Sequence, residues 1–239
     1  MYCQPLINAR THSCEGIELL LRWHNRRQGW IAPDVFIPLA ERQNLIAPLT
    51  RFVLSETVRQ LPLLPLHNGF HIAINVSASH FHRQEIIKDL QQLWWPADPK
   101  PQLIVELTER DALPVVDLHT VAFLHKSGVK LAIDDFGTGH SSLSYLKTLN
   151  PDVLKIDKIF TGAIGNDAIN ATVTDMVISL AQRLNIALVA EGVETAQQAT
   201  YMRDRGVNAL QGYFYARPMP LTDFPLWLDS WQQDSQMPA

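Results

Sequence analysis

The sequence predicts an α/β fold of the (β/α)8 TIM-barrel type, and three observations carry that prediction. First, seven short apolar runs, at residues 16–18, 71–75, 103–106, 129–135, 152–157, 186–191 and 207–211, end in Glu18, Asn75, Glu106, Asp134-Asp135, Asp157, Glu191 and Gln211. Strands of a parallel sheet are covered on both faces and read as continuous Val/Ile/Leu runs. A polar residue at the C-terminal end of each run stands where such a barrel assembles its active site. Second, the segments between the runs carry a helical period and several stop at glycine, the alternation expected of βα units. Third, 239 residues is close to the ~250 typical of one barrel and long enough to bury a substantial core.

The elements follow in order. Residues 2–7 and 16–22 are strands joined by only 8–15, too short for a crossover helix, so they are expected to pair antiparallel. Asp34, after Pro33, is expected to cap a helix running to Glu41-Arg42. Residues 50–61 continue the helical pattern with Phe52, Val53, Leu54, Val58 and Leu61 apolar. Trp94-Trp95 is expected to pack a helix end against the barrel, and 96–101 is a proline-bounded rigid loop. A helix over 119–127 stops at Gly128, a C-cap residue, and one over 195–205 stops at Gly206. Between them, 171–184 places Val173, Val177, Leu180, Ala181 and Leu184 on one stripe, with Asp175 and Arg183 left to solvent. The domain is expected to span 1–232, with 233–239 a polar, frayed tail. Because the chain opens directly on a strand, it reads as a domain taken from a longer protein whose regulatory part lies upstream.

Composition bounds the function classes. The formal net charge is −4 with no basic tract, which argues against general affinity for long nucleic acid. Cys3 and Cys14 form no metal or disulfide framework and read as reduced thiols of a cytoplasmic protein. No apolar run reaches the ~18 residues of a membrane span, and no signal peptide is visible. Any membrane anchor would belong to the parent protein.

The strand ends carry the chemistry. Glu18, Glu106, Asp134, Asp135 and Glu191 would converge on one barrel mouth, where carboxylates so close repel and some stay protonated. Two divalent cations remove most of that conflict, and Asn75 adds a neutral oxygen donor. An all-oxygen set suits Mg²⁺ or Mn²⁺ rather than Zn²⁺. Adjacent Asp134-Asp135 can place one carboxylate between two ions ~3.5–4 Å apart, the spacing of two-metal phosphodiester hydrolysis. Lys155 is then placed to hold or deprotonate the attacking water.

The ordered segments Glu18-Leu19-Leu20-Leu21-Arg22-Trp23, Phe36-Ile37-Pro38-Leu39-Ala40-Glu41, Asn75-Val76-Ser77 and Glu106-Leu107-Thr108-Glu109 resemble the EAL domain family of cyclic di-GMP phosphodiesterases. The resemblance continues through Asp134-Asp135-Phe136-Gly137-Thr138-Gly139, Leu154-Lys155-Ile156-Asp157, Glu191-Gly192-Val193-Glu194 and Gln211-Gly212-Tyr213, and covers nearly the whole chain. It implies hydrolysis of cyclic di-GMP to linear pGpG by metal-activated water. Glu18, Asn75, Glu106 and Asp134 would hold one ion, and Asp134, Asp135 and Glu191 the second. Lys155, Asp157 and Glu191 would serve the catalytic step, Lys155 and Asp157 through the water network. Gln4 and Arg22 would face the substrate, with Arg22 on a phosphate, and Gln211 would complete the substrate site; Tyr213, which follows it with Phe214 and Tyr215, is expected either to line the guanine pocket or to pack in the core. Glu109 would brace the loop 136–144, which in such proteins links the metal site to dimer contacts. The resemblance also implies a homodimer, an N-terminal regulatory or sensor domain, and inhibition by Ca²⁺, whose looser coordination disturbs a two-metal geometry.

Two positions depart from the family pattern: Leu19 follows Glu18 where Ala is usual, and His140 replaces a common Tyr. Leu19 lies on the opposite strand face from the Glu18 ligand and is expected to be absorbed by packing. His140 is expected to serve loop packing or a dimer contact rather than a metal. Degenerate members that only bind the dinucleotide lack ligands such as Glu18, Asp135 or Lys155. All three are present here.

Overall fold

The computed structural model describes residues 1–98, 100–109, 117–138, 143–166 and 168–236. Eight strands close on themselves: β1 (Tyr2–Asn8), β2 (Cys14–Leu20), β5 (His71–Asn75), β6 (Gln102–Thr108), β7 (Lys130–Phe136), β8 (Val153–Ile156), β9 (Ala187–Ala190) and β10 (Ala209–Leu210). Between β2 and β5 lies a small hairpin, β3 (Trp23–Asn25) with β4 (Gly29–Ile31), outside the barrel sheet. From β2 through β10 the barrel strands pair parallel in chain order. The first pair is antiparallel, as expected, with Gln4 opposite Glu18 and Leu6 opposite Gly16. Closure comes from β1 against β10, Ile7 opposite Leu210, while β11 (Met219–Pro220) extends the sheet at the start of β1.

Two apolar layers result. Leu6, Ala73, Ile104, Ala132, Val153, Val189 and Ala209 pack together inside the barrel. The opposite strand faces, Ile17, Leu19, Ile72, Ile74, Val105 and Leu131 among them, pack with the surrounding helices in the larger core. Leu19 is accordingly buried, as the alternation of strand faces requires.

The helices among the described residues are α1 (Pro33–Arg42), α2 (Ile46–Gln60), α3 (Ala78–His82), α4 (Glu85–Asp89), α5 (Leu118–Lys126), α6 (Leu143–Leu149), α7 (Lys158–Gly162), α8 (Ala168–Leu184), α9 (Ala196–Asp204) and α10 (Phe224–Gln236). Several differ from the sequence reading. Helix α1 starts at Pro33 with extended Ala32 before it, so Asp34 sits in the first turn and is not the cap. A proline needs no helical N–H partner and presets φ, which makes it the better first residue. Helix α2 begins four residues earlier than the apolar pattern suggests, and Phe52 is half exposed while Thr57 is buried with its hydroxyl donating to the Val53 carbonyl at 2.6 Å. In α8, Thr174 and Ile178 join Val177 and Ala181 in the interior, whereas Leu184, the last helical residue, is left half exposed ahead of left-handed Asn185. Helix α10 continues to Gln236, into the stretch expected to fray.

Trp94 ends a π-helical turn after α4 and is buried in the core, as expected. Gly128 and Gly206 stand just past α5 and α9 with φ of +77° and +83°. Pro99 of the rigid loop, and Gly139 and His140, lie outside the described residues. Both cysteines are free and buried, and burial pushes each thiol up to about 12.

Candidate metal centre and substrate cleft

The site is the ring of side chains directly above the interior apolar layer. Stepping two residues along each strand from that layer keeps the same face. The step leads from Ala73 to Asn75, Ile104 to Glu106, Ala132 to Asp134, Val153 to Lys155, Val189 to Glu191 and Ala209 to Gln211. On β2 it leads from Gly16 to Glu18. On antiparallel β1 it runs backwards, from Leu6 to Gln4. Antiparallel pairing thus delivers Gln4 to the same level as the strand-end residues.

Asp135 breaks this rule. In a regular strand it would point away from Asp134. Instead the β7–β8 register slips between Ile133 and Phe136, and Asp135 takes φ +54°, an uncommon conformation for a residue other than glycine. The bulge turns the Asp135 carboxyl back to the mouth, beside Asp134 and Glu191 and close enough to Asp157 for that carboxyl to raise its pKa. Asp157 in turn caps α7, its Oδ1 accepting from the Ile159 N–H at 2.7 Å.

Lys155 organises the centre. Its Nζ lies 2.7 Å from Glu191 Oε1, 2.8 Å from Glu106 Oε2, and 3.3 Å from both Glu18 Oε2 and Asp134 Oδ1. The side chain is 1 % exposed. Asn75 Nδ2 donates to Glu18 Oε1 at 2.8 Å, and Gln211 Nε2 donates to Glu18 Oε2 at 2.8 Å and to Gln4 Oε1 at 3.2 Å. Gln4 Nε2 donates to the Ala216 carbonyl at 2.9 Å. Fully buried Glu109 accepts from the Gly137 N–H at 2.7 Å, tying the end of β6 to the segment after β7.

The electrostatics are unbalanced. Burial works against the Lys155 charge, yet the surrounding Asp134, Glu106, Glu18 and Glu191 outweigh it and hold the ammonium well above the ordinary lysine range. One ammonium cannot serve five carboxyls. Glu18 is the best satisfied: burial raises it, but Lys155, Gln211 and Asn75 together bring it below the usual carboxylate range. Glu106 is pushed well above that range by burial, against the pull of Lys155 and with Glu18 and Asp134 adding to the rise. Asp134 is raised by burial and by Glu18 despite Lys155. Burial, then Asp134 and Asp157, push Asp135 up to about 7. Burial, with Asp134 and Glu18 and against Lys155, pushes Glu191 up to about 8.

Such a set fits hard divalent cations. Carboxylate oxygens of Glu18, Glu106 and Asp134 lie within 4.8 Å of one another, and so do those of Asp134, Asp135 and Glu191, with Asp134 common to both groups. Every donor is oxygen, the chemistry preferred by Mg²⁺ and Mn²⁺. Added positive charge would also relieve the raised carboxyls.

A cleft of about 570 Å³ opens beside this centre, lined by Gln4, Glu18, Arg22, Asp134, Glu191, Gln211 and Tyr213 among others. Arg22 donates from Nη1 to the Leu21 carbonyl at 2.8 Å, and its guanidinium stands 5.9 Å from the Tyr2 ring centre. Tyr213 is half exposed beneath the Arg217 guanidinium, 4.3 Å from the ring centre. Lys158, Glu194 and Gln198 also line the cleft. Sequence reasoning gave these no role. Their signal was their place, one to seven residues beyond the strand-end Asp157 and Glu191.

Fold and site together define a (β/α)8-type barrel with a carboxylate-rich mouth able to hold metal. The EAL domain model matches residues 1–218, and the chain belongs to the EAL domain family. It is 63 % identical over 228 residues to the probable cyclic di-GMP phosphodiesterase PdeD of Escherichia coli (strain K12), covering 95 % of this chain and 43 % of that protein. It is 39 % identical to the cyclic di-GMP phosphodiesterase PdeL of the same organism, covering 93 % of this chain and 63 % of that one. The chain therefore spans less than two thirds of these relatives. Among solved structures, a PaMucR phosphodiesterase in complex with c-di-GMP superposes with a TM-score of 0.86 at 37 % identity, covering 93 % of this chain and 92 % of that chain.

Proposed function

We propose that this chain is a metal-dependent phosphodiesterase that hydrolyses cyclic di-GMP to linear pGpG. The observation that carries the reading is the ring of five carboxyls, Asn75 and Lys155 at one barrel mouth, divided into two carboxylate groups that share Asp134. The family, and relatives and a neighbour named for this substrate, support it.

In this reading Glu18, Asn75, Glu106 and Asp134 hold one cation, and Asp134, Asp135 and Glu191 the other, as Mg²⁺ or Mn²⁺. Bound there, the cations supply Lewis-acid charge for the phosphoryl oxygens and lower the pKa of water. Lys155, held among these carboxylates, orients the attacking water through Nζ. Asp157, beside Asp135, completes the water network. Glu191 orients the second cation and fixes Lys155. Arg22 pairs with a phosphate, while Gln4, Gln211 and Tyr213 bound the substrate pocket. Glu109 braces the segment at Gly137. Water adds across one P–O3′ bond, leaving a 5′ phosphate and a free 3′ hydroxyl, which is pGpG. A homodimer, an upstream regulatory or sensor domain, a domain limit near residue 232 and a cytoplasmic location belong to the same reading. Among the described residues no helix is long and apolar enough to cross a membrane.

The test is a chromatographic turnover assay of cyclic di-GMP with Mg²⁺ or Mn²⁺, against Glu18→Ala and excess chelator. pGpG should accumulate with the native chain and fall at least ~100-fold in both controls, as for loss of a preorganised charge-stabilising group. Binding without turnover would make the chain a receptor. Equal turnover in Ca²⁺ and Mg²⁺ would count against the two-cation assignment.

A further inference from the structure

Lys158 is the cationic cleft residue that the reading above leaves without a role, as it also leaves Glu194 and Gln198. It opens α7 directly after Asp157, its side chain is exposed, and it lines the same cleft as Arg22 and Glu191. Its root is fixed from two sides. The Asp157 cap turns the chain into α7. From the other side Gly192, at φ +64°, lies so close that a Cβ there would stand 2.4 Å from Lys158 Cβ and 3.0 Å from its Cα. The turn that carries Glu191 therefore rests on the backbone of Lys158, an approach only glycine permits.

The topology sets the other coordinate. Around the closed barrel β8 is four strands from β2 in either direction. Lys158, just past β8, thus stands across the mouth from Arg22, just past β2. These two are the cations lining the cleft. Lys155 is committed to its four carboxylates. Among the described residues Lys158 forms no ion pair.

Charge then decides what Lys158 does. Two divalent cations and the Lys155 ammonium together balance the five carboxyls, so the centre has no surplus positive charge. A cyclic dinucleotide brings two phosphodiester charges, and Glu194 adds another carboxyl to the rim. We propose that the β8–β9 rim is a phosphate subsite in which the Lys158 ammonium binds the uncleaved phosphodiester of a cyclic dinucleotide, opposite Arg22. This rests on the phosphodiesterase reading. A lysine suits the task, a compact charge on a flexible stem able to follow a phosphate from an exposed rim.

The experiment compares Lys158→Ala, Lys158→Arg and the native chain in Mg²⁺ for cyclic di-GMP turnover, with equilibrium binding of the same ligand measured alongside. Loss of one charged contact should raise KM about tenfold in Lys158→Ala with kcat within about twofold. Lys158→Arg should recover most of that loss, the melting temperature should not move, and the rise of KM with salt should be shallower in Lys158→Ala. An unchanged KM, or a fall in kcat at constant KM, overturns the subsite. The two readings separate cleanly. A native chain that binds without turnover sinks the hydrolysis and leaves Lys158 to be judged by its effect on binding. A native chain that does neither overturns both.

Discussion

Lys155 sits where a substrate-free centre needs a cation, and its burial makes that dependence measurable. Removing one partner of a buried ion network leaves uncompensated charge, which is costly even where the intact network contributes little. Lys155→Met keeps the length and removes the ammonium from between Glu18, Glu106, Asp134 and Glu191. In chelator the variant should lose about 3–5 kcal/mol of stability, read from the urea midpoint. Mg²⁺ should return more than half of that loss, because a divalent cation answers the same carboxyls. It should not return turnover, since on the proposed function the group that orients the water is gone. A variant as stable in chelator as the native chain would show that the ammonium is not their counter-ion. Asp135 is the other instructive residue. Strand alternation alone would point it away from Asp134, and its sequence gives no sign of the bulge. What could be read was the pair Asp134-Asp135 as a motif; the left-handed backbone of Asp135 and its approach to Asp157 could not.

At the level of elements, the strands were legible because burial on both faces leaves only apolar residues, and each run stops where the chain must turn polar. Helix limits were less so. Pro33 and Asp34 are both start signals one residue apart, and only packing decides between them. The interior position of Thr174 follows from hydroxyl bonds to the Asn170 and Phe160 carbonyls, at 2.9 and 3.3 Å, that no apolar stripe announces. The buried pair His80–Asp89, 3.1 Å apart with Arg51 on the far Asp89 oxygen at 2.7 Å, was equally silent, since its members come from α3, α4 and α2. Element contacts also govern how the β10 end is held. Gly212, directly after Gln211, meets the Val193 backbone so closely that an added Cβ would lie 2.1 Å from its carbonyl oxygen. Backbone cannot yield as a side chain can. Gly212→Ala should therefore cost about 1–3 kcal/mol by overpacking. Because the shift moves Gln211, and with it the bond to Glu18, turnover should fall by more than the lost stability explains under conditions where the variant remains folded. Thermal melting and kinetics on one sample decide it, and retained kcat would show that Gln211 adjusts independently of the turn.

The whole molecule couples these scales through protons. The barrel places five carboxyls at one mouth, and the sequence made most of that convergence legible: Glu106, Asp134 and Glu191 each follow an interior-layer residue by two, Glu18 follows Gly16 in the same way, and only Asp135 needs the bulge to reach it. Their mutual cost was not legible, since it depends on which carboxyl gains Lys155 and which is left in a dry wall. Asp135 at about 7 and Glu191 at about 8 titrate above their unfolded values of 3.8 and 4.5, with burial the largest cause in both. A raised carboxyl binds its proton more tightly in the folded state. Between the unfolded and folded values the native chain therefore holds more protons than the unfolded one, and stability falls as pH rises through that window. For these two groups the contribution is complete below about pH 4 and is lost by about pH 8. Divalent cations reverse the sign. They require the ionised carboxyls and compete with the protons, so their binding strengthens over the same interval. The metal-free protein should thus melt at a lower temperature at pH 8.5 than at pH 6 as far as these groups govern it. The increase in melting temperature caused by Mg²⁺ should be larger at pH 8.5 than at pH 6, since ligand binding to the native state alone stabilises it in proportion to occupancy. Differential scanning calorimetry at the two pH values, with and without Mg²⁺, measures both effects. A Mg²⁺ shift that does not change with pH would mean that Asp135 and Glu191 release no protons on binding, and the second carboxylate group would then not be a cation site.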